Sequence, residues 1–351
     1  MDAKVFNNQH IETFRRWVEE AHHIVLLSHM NADGDACGSV LGLAKQLDFA
    51  APAAKNITPI LPNGCPRTFT WLPGSERILS GETQLELCLQ KIAEADLLIC
   101  MDLNTASRTD FLQDAILEAK CHKVLIDHHK NPATDQFDII FSDDISSTCE
   151  LTLWVSQALW GKKYFNTDMA RCLYTGLRTD TGGFAFSCDQ PSCFEAAAIL
   201  VSYDINPADI HNHIVNTFSF DRMRFYGFAL SQRLRIYSEA RTAILYFSLD
   251  DQKRFGVGGE DMEGLVNYTL MMTDIEVGVL LREESNRTKV SFRSKYNVDV
   301  NLLAQKLGGG GHTKAAGATC VMSFDEALAQ TEKLLGIHGL DPLKFNETHE
   351  K

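Results

Sequence analysis

The sequence predicts an α/β protein in two parts: an N-terminal parallel sheet with helices on both faces, then a smaller α+β domain. Three observations carry this. Short apolar runs alternate with helical segments as far as FDIIF at 137–141. Within those runs the apolar residues are continuous rather than alternating, as in strands covered on both faces. Beyond Arg241 the texture changes to β segments separated by polar turns. At 351 residues, 45% hydrophobic and 23% charged, the chain is long enough for two cores and ordinary for a globular protein.

Residues 9–21 have helical apolar spacing, and HIVLLS at 23–28 reads as a buried strand. A loop of small and acidic residues follows. From Asp35 the pattern is helical, with Gly38, Ser39 and Gly42 placed where a helix can press closely against a sheet. TPILP near residue 60, ADLLICMD at 95–102, KVLID at 123–127 and FDIIF are further strands, and TDFLQDAILEAK at 109–120 is a helix. Such alternation argues for a parallel sheet. STCELTLWVSQALW, MARCLYTGLRTDTGG, PSCFEAAAILVSY and PADIHNHIVN are helical, and SFDRMRFYGFALSQRLRIY reads as a long connecting helix running into a new strand set. TAILYFSL, DIEVGVLLREE and TKVSFRSKY supply that set, with a helix between the first two. DVNLLAQKL is a helix, GGGGH at 308–312 follows it, and TKAAGA is expected to form a short small-residue helix. The expected boundaries are 1–205 for the first domain, 206–234 for a helical linker, 235–340 for the second domain and 341–351 for a tail, whose NETHEK is expected to fray.

Charge and cysteine usage narrow the function. Lys plus Arg total 33 against 46 for Asp plus Glu, a net charge of −13. No basic block appears, whereas proteins that track long nucleic acid display a positive stripe. Short substrates are easier to reconcile with this balance. Ten cysteines stand singly, without CxxC pairs, and read as reduced core residues. The longest apolar stretches fall far below the roughly 20 residues that span a bilayer. MDAKVFNNQHIETF has neither a basic flank nor an apolar signal core, so the expected place is the cytoplasm.

HMNADGD at 29–35 sets His29, Asp33 and Asp35 directly after the first strand. Asp102 ends ADLLICMD, and Asp127, His128 and His129 end KVLID. In open parallel sheets ligands bind outside the carboxyl ends of the strands, so these residues fall on one edge. Carboxylates and imidazoles in that arrangement suit divalent ions that activate water for attack on phosphate. A pair of ions needs a carboxylate that reaches both. Asp102 is the candidate, because its strand should lie between those carrying the other ligands. His29 and Asp33 would complete one ion, and Asp35, His128 and Asp180 the other, with Asp180 brought back by the glycine turn that ends its helix. Taken alone, Asp33 and Asp35 are as readily a helix cap or turn, and a lone His128 a structural histidine. Their joint occurrence at three strand ends and a glycine turn favours a site.

His129 points away from its neighbour His128 on an extended segment. It is assigned to the substrate phosphate or the leaving oxygen, with support of a metal carboxylate as the alternative. The amides of Gly308, Gly309, Gly310 and Gly311 can form an anion nest at the start of the expected helix. His312 and Arg293 would bond the phosphate beside it, against a hinge for the glycines and a solvated strand face for the arginine.

These motifs together resemble the DHH phosphoesterase family, named for a triplet that stands here as Asp127, His128 and His129. HMNADGDACGS, MDLNTASR, IDHHKN and YTGLRTDTGGF resemble its four N-terminal motifs, and VSFRSK with LGGGGHTKAAGA resembles its DHH-associated C-terminal domain. Ala32 stands where members often have proline, and Thr109 follows Arg108 where glycine is common nearby. The resemblance implies two Mn²⁺ ions, with Mg²⁺ or Co²⁺ as alternatives, and an active site in the cleft between the domains. It is closest to the bifunctional oligoribonuclease and pAp phosphatase (nanoRNase) branch. That implies short RNA or dinucleotide substrates, with pAp as a further substrate; the short apolar stretches predict no membrane partner, and the sequence leaves room for a homodimer. The alternatives are a RecJ-like single-strand DNA exonuclease and a nucleotide-binding sensor without turnover.

Overall fold

The structure is a computed structural model and describes residues 6–50 and 56–343. The expected fraying of NETHEK lies outside the described residues. The chain divides into two compact units, residues 1–217 and 218–351.

The first unit carries a six-stranded parallel sheet. Its strands are β1 (His23–Leu27), β2 (Asn56–Leu61), β3 (Leu79–Ser80), β4 (Leu97–Met101), β5 (His122–Asp127) and β6 (Ile139–Ser142), in the order β3-β2-β1-β4-β5-β6. The order reverses between β1 and β4, which is the switch point where a doubly wound sheet opens a crevice. Its helices are α1 (Asn8–Glu20), α2 (Gly34–Ala50), α3 (Leu85–Ala93), α4 (Gln113–Glu118), α5 (Thr148–Trp160), α6 (Thr167–Asp180), α7 (Pro191–Val201) and α8 (Pro207–Val215).

Successive strand residues face opposite sides, and both sides are apolar. Ile24, Leu26, Ile99 and Val124 pack with α1, α2, α5 and α6, while Val25, Leu27, Leu98 and Leu125 pack with α3 and α4. This is why the strands read as continuous apolar runs. TDFLQDAILEAK is not one helix: a 3-10 turn over Ala106–Leu112 is broken at Asp110 (φ 54°) before α4 begins. The small residues of α2 serve a helix, not the sheet. A Cβ on Gly38 would lie 2.5 Å from the Cys172 carbonyl, and one on Gly42 would lie 2.6 Å from Leu173, both in α6.

The second unit contains α9 (Phe220–Gln232), β7 (Leu234–Tyr237), β8 (Thr242–Phe247), α10 (Leu249–Phe255), β9 (Val277–Glu284), β10 (Arg287–Ser294), α11 (Val300–Lys306), β11 (Gly310–Gly311), β12 (Ala315–Cys320) and α12 (Phe324–Leu334). The strands form a mixed sheet in the order β11-β12-β10-β9-β8-β7, with β8 and β9 parallel. TKAAGA is therefore strand β12 rather than the expected helix. Ala316, Ala318 and Cys320 are buried in alternation, a period of two that an alanine-rich segment with good helix propensity conceals.

Candidate metal centre

His29, Asp33 and Asp35 follow β1, Asp102 follows β4, and His128 follows β5. Since β4 lies between β1 and β5, Asp102 stands between the other two groups. Its backbone is held in the left-handed region (φ 58°), a conformation that costs a non-glycine residue about 1–3 kcal/mol and clusters at functional sites. The amide of Asp102 donates to the Ile126 carbonyl over 3.0 Å, so the turn is tied to the neighbouring strand.

The carboxylates and imidazoles converge in three groups that can each hold a cation: His29, Asp33 and Asp102; Asp35, His128 and Asp180; and Asp102, His128 and His129. The first two are the sets expected from sequence, and Asp102 belongs to two of the three. His29 Nε2 is 3.3 Å from Asp102. His128 Nε2 is 3.4 Å from Asp180, 3.6 Å from Asp102 and 3.9 Å from Asp35. Both rings are turned by the main chain: His29 Nδ1 lies 2.8 Å from the Met30 carbonyl and His128 Nδ1 3.2 Å from that of Ile145. A proton held at each Nδ1 leaves the Nε2 lone pairs facing the carboxylates, as a metal-binding imidazole requires.

Helix termini place the acids. Asp33 accepts from the amides of Asp35 and Ala36, each over 3.0 Å, so it caps α2 and also faces the site. Asp35 is buried and accepts from Thr148 N over 2.7 Å and Cys149 N over 2.9 Å, at the start of α5. The Thr148 hydroxyl donates to Asp102 over 2.9 Å. In the sequence alone Thr148 stands as one residue of a helical segment. The signal was there in STCE, whose Ser147 caps α5 through Glu150 N, but not the partner it would meet.

Crowding the acids shifts their protonation. Burial, reinforced by Asp102 and the other carboxylates, raises Asp35 well above the carboxylate range. Burial likewise lifts Asp180 to about 7, against the pull of His128. For Asp102 burial works upward, but the hydrogen bond and charge of His29, with His128 and His129, hold it at about 2. His29 and His128 are raised, because Asp102 and its neighbours outweigh the burial that would lower them. Buried acids repelling one another around two oriented imidazoles are a donor set that a divalent cation fits.

His129 does not point away from His128 as an extended segment would have it: the two rings meet edge to face with centroids 4.7 Å apart, but His129 has different partners. Its Nδ1 lies 2.7 Å from Asp127 Oδ1 and its Nε2 3.0 Å from the Arg108 guanidinium. Arg108 also donates to the Asp102 carbonyl over 3.2 Å, and its own carbonyl accepts from Met30 N over 2.8 Å, linking three motif loops. Thr109 beside it is buried and donates to Ala106.

In the second unit, β10 sets Arg293 opposite Ala315, and the His312 amide donates to the Ala315 carbonyl over 2.8 Å. The two therefore border the same strand end. Arg293 is half-buried, and burial lowers its pKa against the pull of the Glu263 carboxylate; no ion pair engages it among the described residues. The nest expected at a helix start is not formed in that way. The run follows the C-terminus of α11, Gly308 N and Gly309 N donate to Gln305 and Ala304, and a strand comes after it. Two of the glycines are required by packing: a Cβ on Gly309 would lie 2.6 Å from Ala318 Cα, and one on Gly311 2.6 Å from the Ala315 carbonyl.

The pattern of the DHH family, N-terminal domain, matches residues 23–177, and that of the DHHA1 domain matches residues 241–336. The chain is 30% identical to the bifunctional oligoribonuclease and PAP phosphatase NrnA of Bacillus subtilis, over 90% of this chain and 95% of that protein. It is 27% identical to the protein of the same name from Thermus thermophilus, over 84% and 83%. The crystal structure of an exopolyphosphatase-related protein from Bacteroides fragilis superposes with a TM-score of 0.91 at 34% identity, covering 95% of this chain and 97% of that one.

Proposed function

This chain belongs to the DHH family of phosphoesterases, and on that premise we propose that it hydrolyses short oligoribonucleotides and dinucleotides to mononucleotides and converts pAp to AMP. The observation that carries the reading is the convergence of Asp33, Asp35, Asp102, Asp180, His29 and His128 at the carboxyl ends of β1, β4 and β5. The names of the relatives supply the substrate class.

His29, Asp33 and Asp102 would hold one divalent ion, and Asp35, His128, Asp180 and Asp102 a second, with Mn²⁺ preferred and Mg²⁺ or Co²⁺ as alternatives. Such ions supply Lewis acidity toward a phosphoryl oxygen and acidify water at neutral pH. Thr148 and the α5 amides fix the carboxylates of Asp35 and Asp102 beforehand, so no reorganisation is needed when substrate arrives. His129, steadied by Asp127, is assigned to the substrate phosphate or leaving oxygen through Nε2, the nitrogen that now meets Arg108. Arg293, His312 and the run Gly308, Gly309, Gly310 and Gly311 are assigned to substrate phosphate. Arg293 suits that task because a half-buried guanidinium that makes no ion pair among the described residues has donors to offer an anion.

Ten thiols, none in a disulfide, suit a reducing compartment, and we place the protein in the cytoplasm. Among the described residues no helix is long and apolar enough to cross a membrane. A homodimer is the assembly to test by sedimentation.

The testing experiment is a time course with Mn²⁺ on pApA, pGpG, RNAs of increasing length, single-stranded DNA and pAp. Fast mononucleotide release from the shortest RNAs supports the proposal. Activity confined to long DNA replaces it with a RecJ-like exonuclease, and silence across the panel with a sensor.

A further inference from the structure

The second unit carries a surface that the metal chemistry does not use. Arg224 on α9 lies over the rings of Phe220 (5.7 Å) and Phe255 (5.8 Å), and Arg254 on α10 lies over Phe255 (5.4 Å) and Phe228 (5.5 Å). The alternation continues from Phe228 through Arg233 and Tyr246 to Arg235, at 5.0, 5.8 and 4.4 Å. The fold thus assembles, from two helices and two strands, a guanidinium and ring ladder of which the linear sequence shows no basic block.

The two ends differ. Arg233 is held by both oxygens of Asp251 at 2.8 Å, and Arg235 by Glu332 at 2.9 Å, so that end is neutralised from within. Arg224 and Arg254 are exposed, and among the described residues neither forms an ion pair or hydrogen bond. Phe220, at the same end, is 77% exposed, and Met223 beside it 59%. Asp221 and Asp250 are the exposed acids nearest in sequence, with Lys253 on α10 adding a further positive charge. In a chain of net charge −13, two exposed guanidinium groups layered with the partly buried rings of Phe228 and Phe255 and the open ring of Phe220 call for an anionic partner that also stacks. A guanidinium over a ring face is stabilised there, and its remaining N–H groups stay free to donate.

We propose that Phe220, Arg224, Phe255 and Arg254 form a binding track for single-stranded RNA, with a base on Phe220 and phosphates on the two arginines. This combination of ring and cation is the sequence-tolerant way to hold a single strand. The track is separate from the glycine run. That run lies at β11, at one edge of the sheet, whereas the helices that carry the track pack on β7, β8 and β9 toward the other edge. The choice of RNA rests on the oligonucleotide reading above; the existence of the track does not.

The test is fluorescence anisotropy of a labelled ten-nucleotide RNA with the full chain in EDTA, where no hydrolysis occurs, so a failure of the proposed activity leaves the result interpretable. Phe220→Ala should weaken binding at least about fivefold. Arg224→Ala with Arg254→Ala should weaken it further and reduce the slope of log affinity against log salt by about 1.4, roughly 0.7 per phosphate contact. The pair Arg224→Lys and Arg254→Lys should keep the slope. Phe220 is exposed, so its variant folds even if the double variant does not, and melting curves verify both. Unaltered affinity in the Phe220 variant, no binding by the wild type, or capture of phosphatidylserine vesicles in place of RNA would each overturn the proposal.

Discussion

The Thr148 hydroxyl donates to Asp102 over 2.9 Å while the amide of the same residue donates to Asp35 over 2.7 Å. One residue at the start of α5 thus fixes an acid of each of the three candidate cation groups, Asp35 in the first turn of α2 and Asp102 after β4, which lie far apart in sequence. Thr148→Val keeps the shape and the amide bond but removes the donor to Asp102. We expect Mn²⁺ affinity to fall about 10–100-fold, as for other partners that orient metal ligands, with little change in melting temperature. Calorimetric titration of the metal checks this, and unchanged affinity would show that the hydroxyl does not matter.

Gly176 on α6 is the contact point between α6 and the acid loop. A Cβ there would lie 2.9 Å from Asp35 Oδ1 and would also meet the Cys149 sulfur. Neither neighbour can move freely, because both are buried. Gly176→Ala should therefore destabilise the chain by about 1–3 kcal/mol, and the stabilisation that Mn²⁺ confers should shrink with it. Chemical denaturation with and without Mn²⁺ reads both effects.

The metal-free protein should lose stability as pH rises. Asp180 is lifted from 3.8 to about 7 and Asp35 is also raised. Between about pH 4 and 7 the folded state therefore binds more protons than the unfolded one, and stability falls across that window. His29 and His128, raised above 6.5, contribute stability that is present below that pH and lost above it, in the same direction. Asp102, held at about 2, acts oppositely but only below its ordinary 3.8. Melting in EDTA should give a lower midpoint at pH 8 than at pH 5.5, and added Mn²⁺ should raise the midpoint more at pH 8. A midpoint that rises with pH in EDTA would count against the crowded-acid account.

His129→Ala should lower kcat on a dinucleotide with a smaller effect on Mn²⁺ affinity. Its ring is held by Asp127 and Arg108, and it joins Asp102 and His128 in only one of the three candidate groups. A loss confined to Mn²⁺ affinity would move it to the metal ligands.

What was legible in the sequence follows from range. The strands were readable because both faces of the sheet are covered, leaving continuous apolar runs, and ligands that follow strands directly were readable with them. Asp102 could be set between the other groups because parallel topology dictates which strand ends share an edge. Thr148 was not legible: it meets Asp35 113 residues away, through the approach of one helix start to another. The glycine run misled for a different reason. Its glycines admit both a nest and tight strand packing, and only the fold shows β12 pressed against Gly309 and Gly311. The arginines of α9 and α10 were scattered in sequence and become neighbours only when the helices pack.

The proposed activity depends on a cation site served by Asp102. The direct measurement is mononucleotide release from pApA with Mn²⁺ by the wild type and Asp102→Ala, with circular dichroism on both. We expect steady release by the wild type and a loss on the order of 10³-fold or more in the variant, with the fold retained. Near-normal release by a folded Asp102→Ala protein would contradict it.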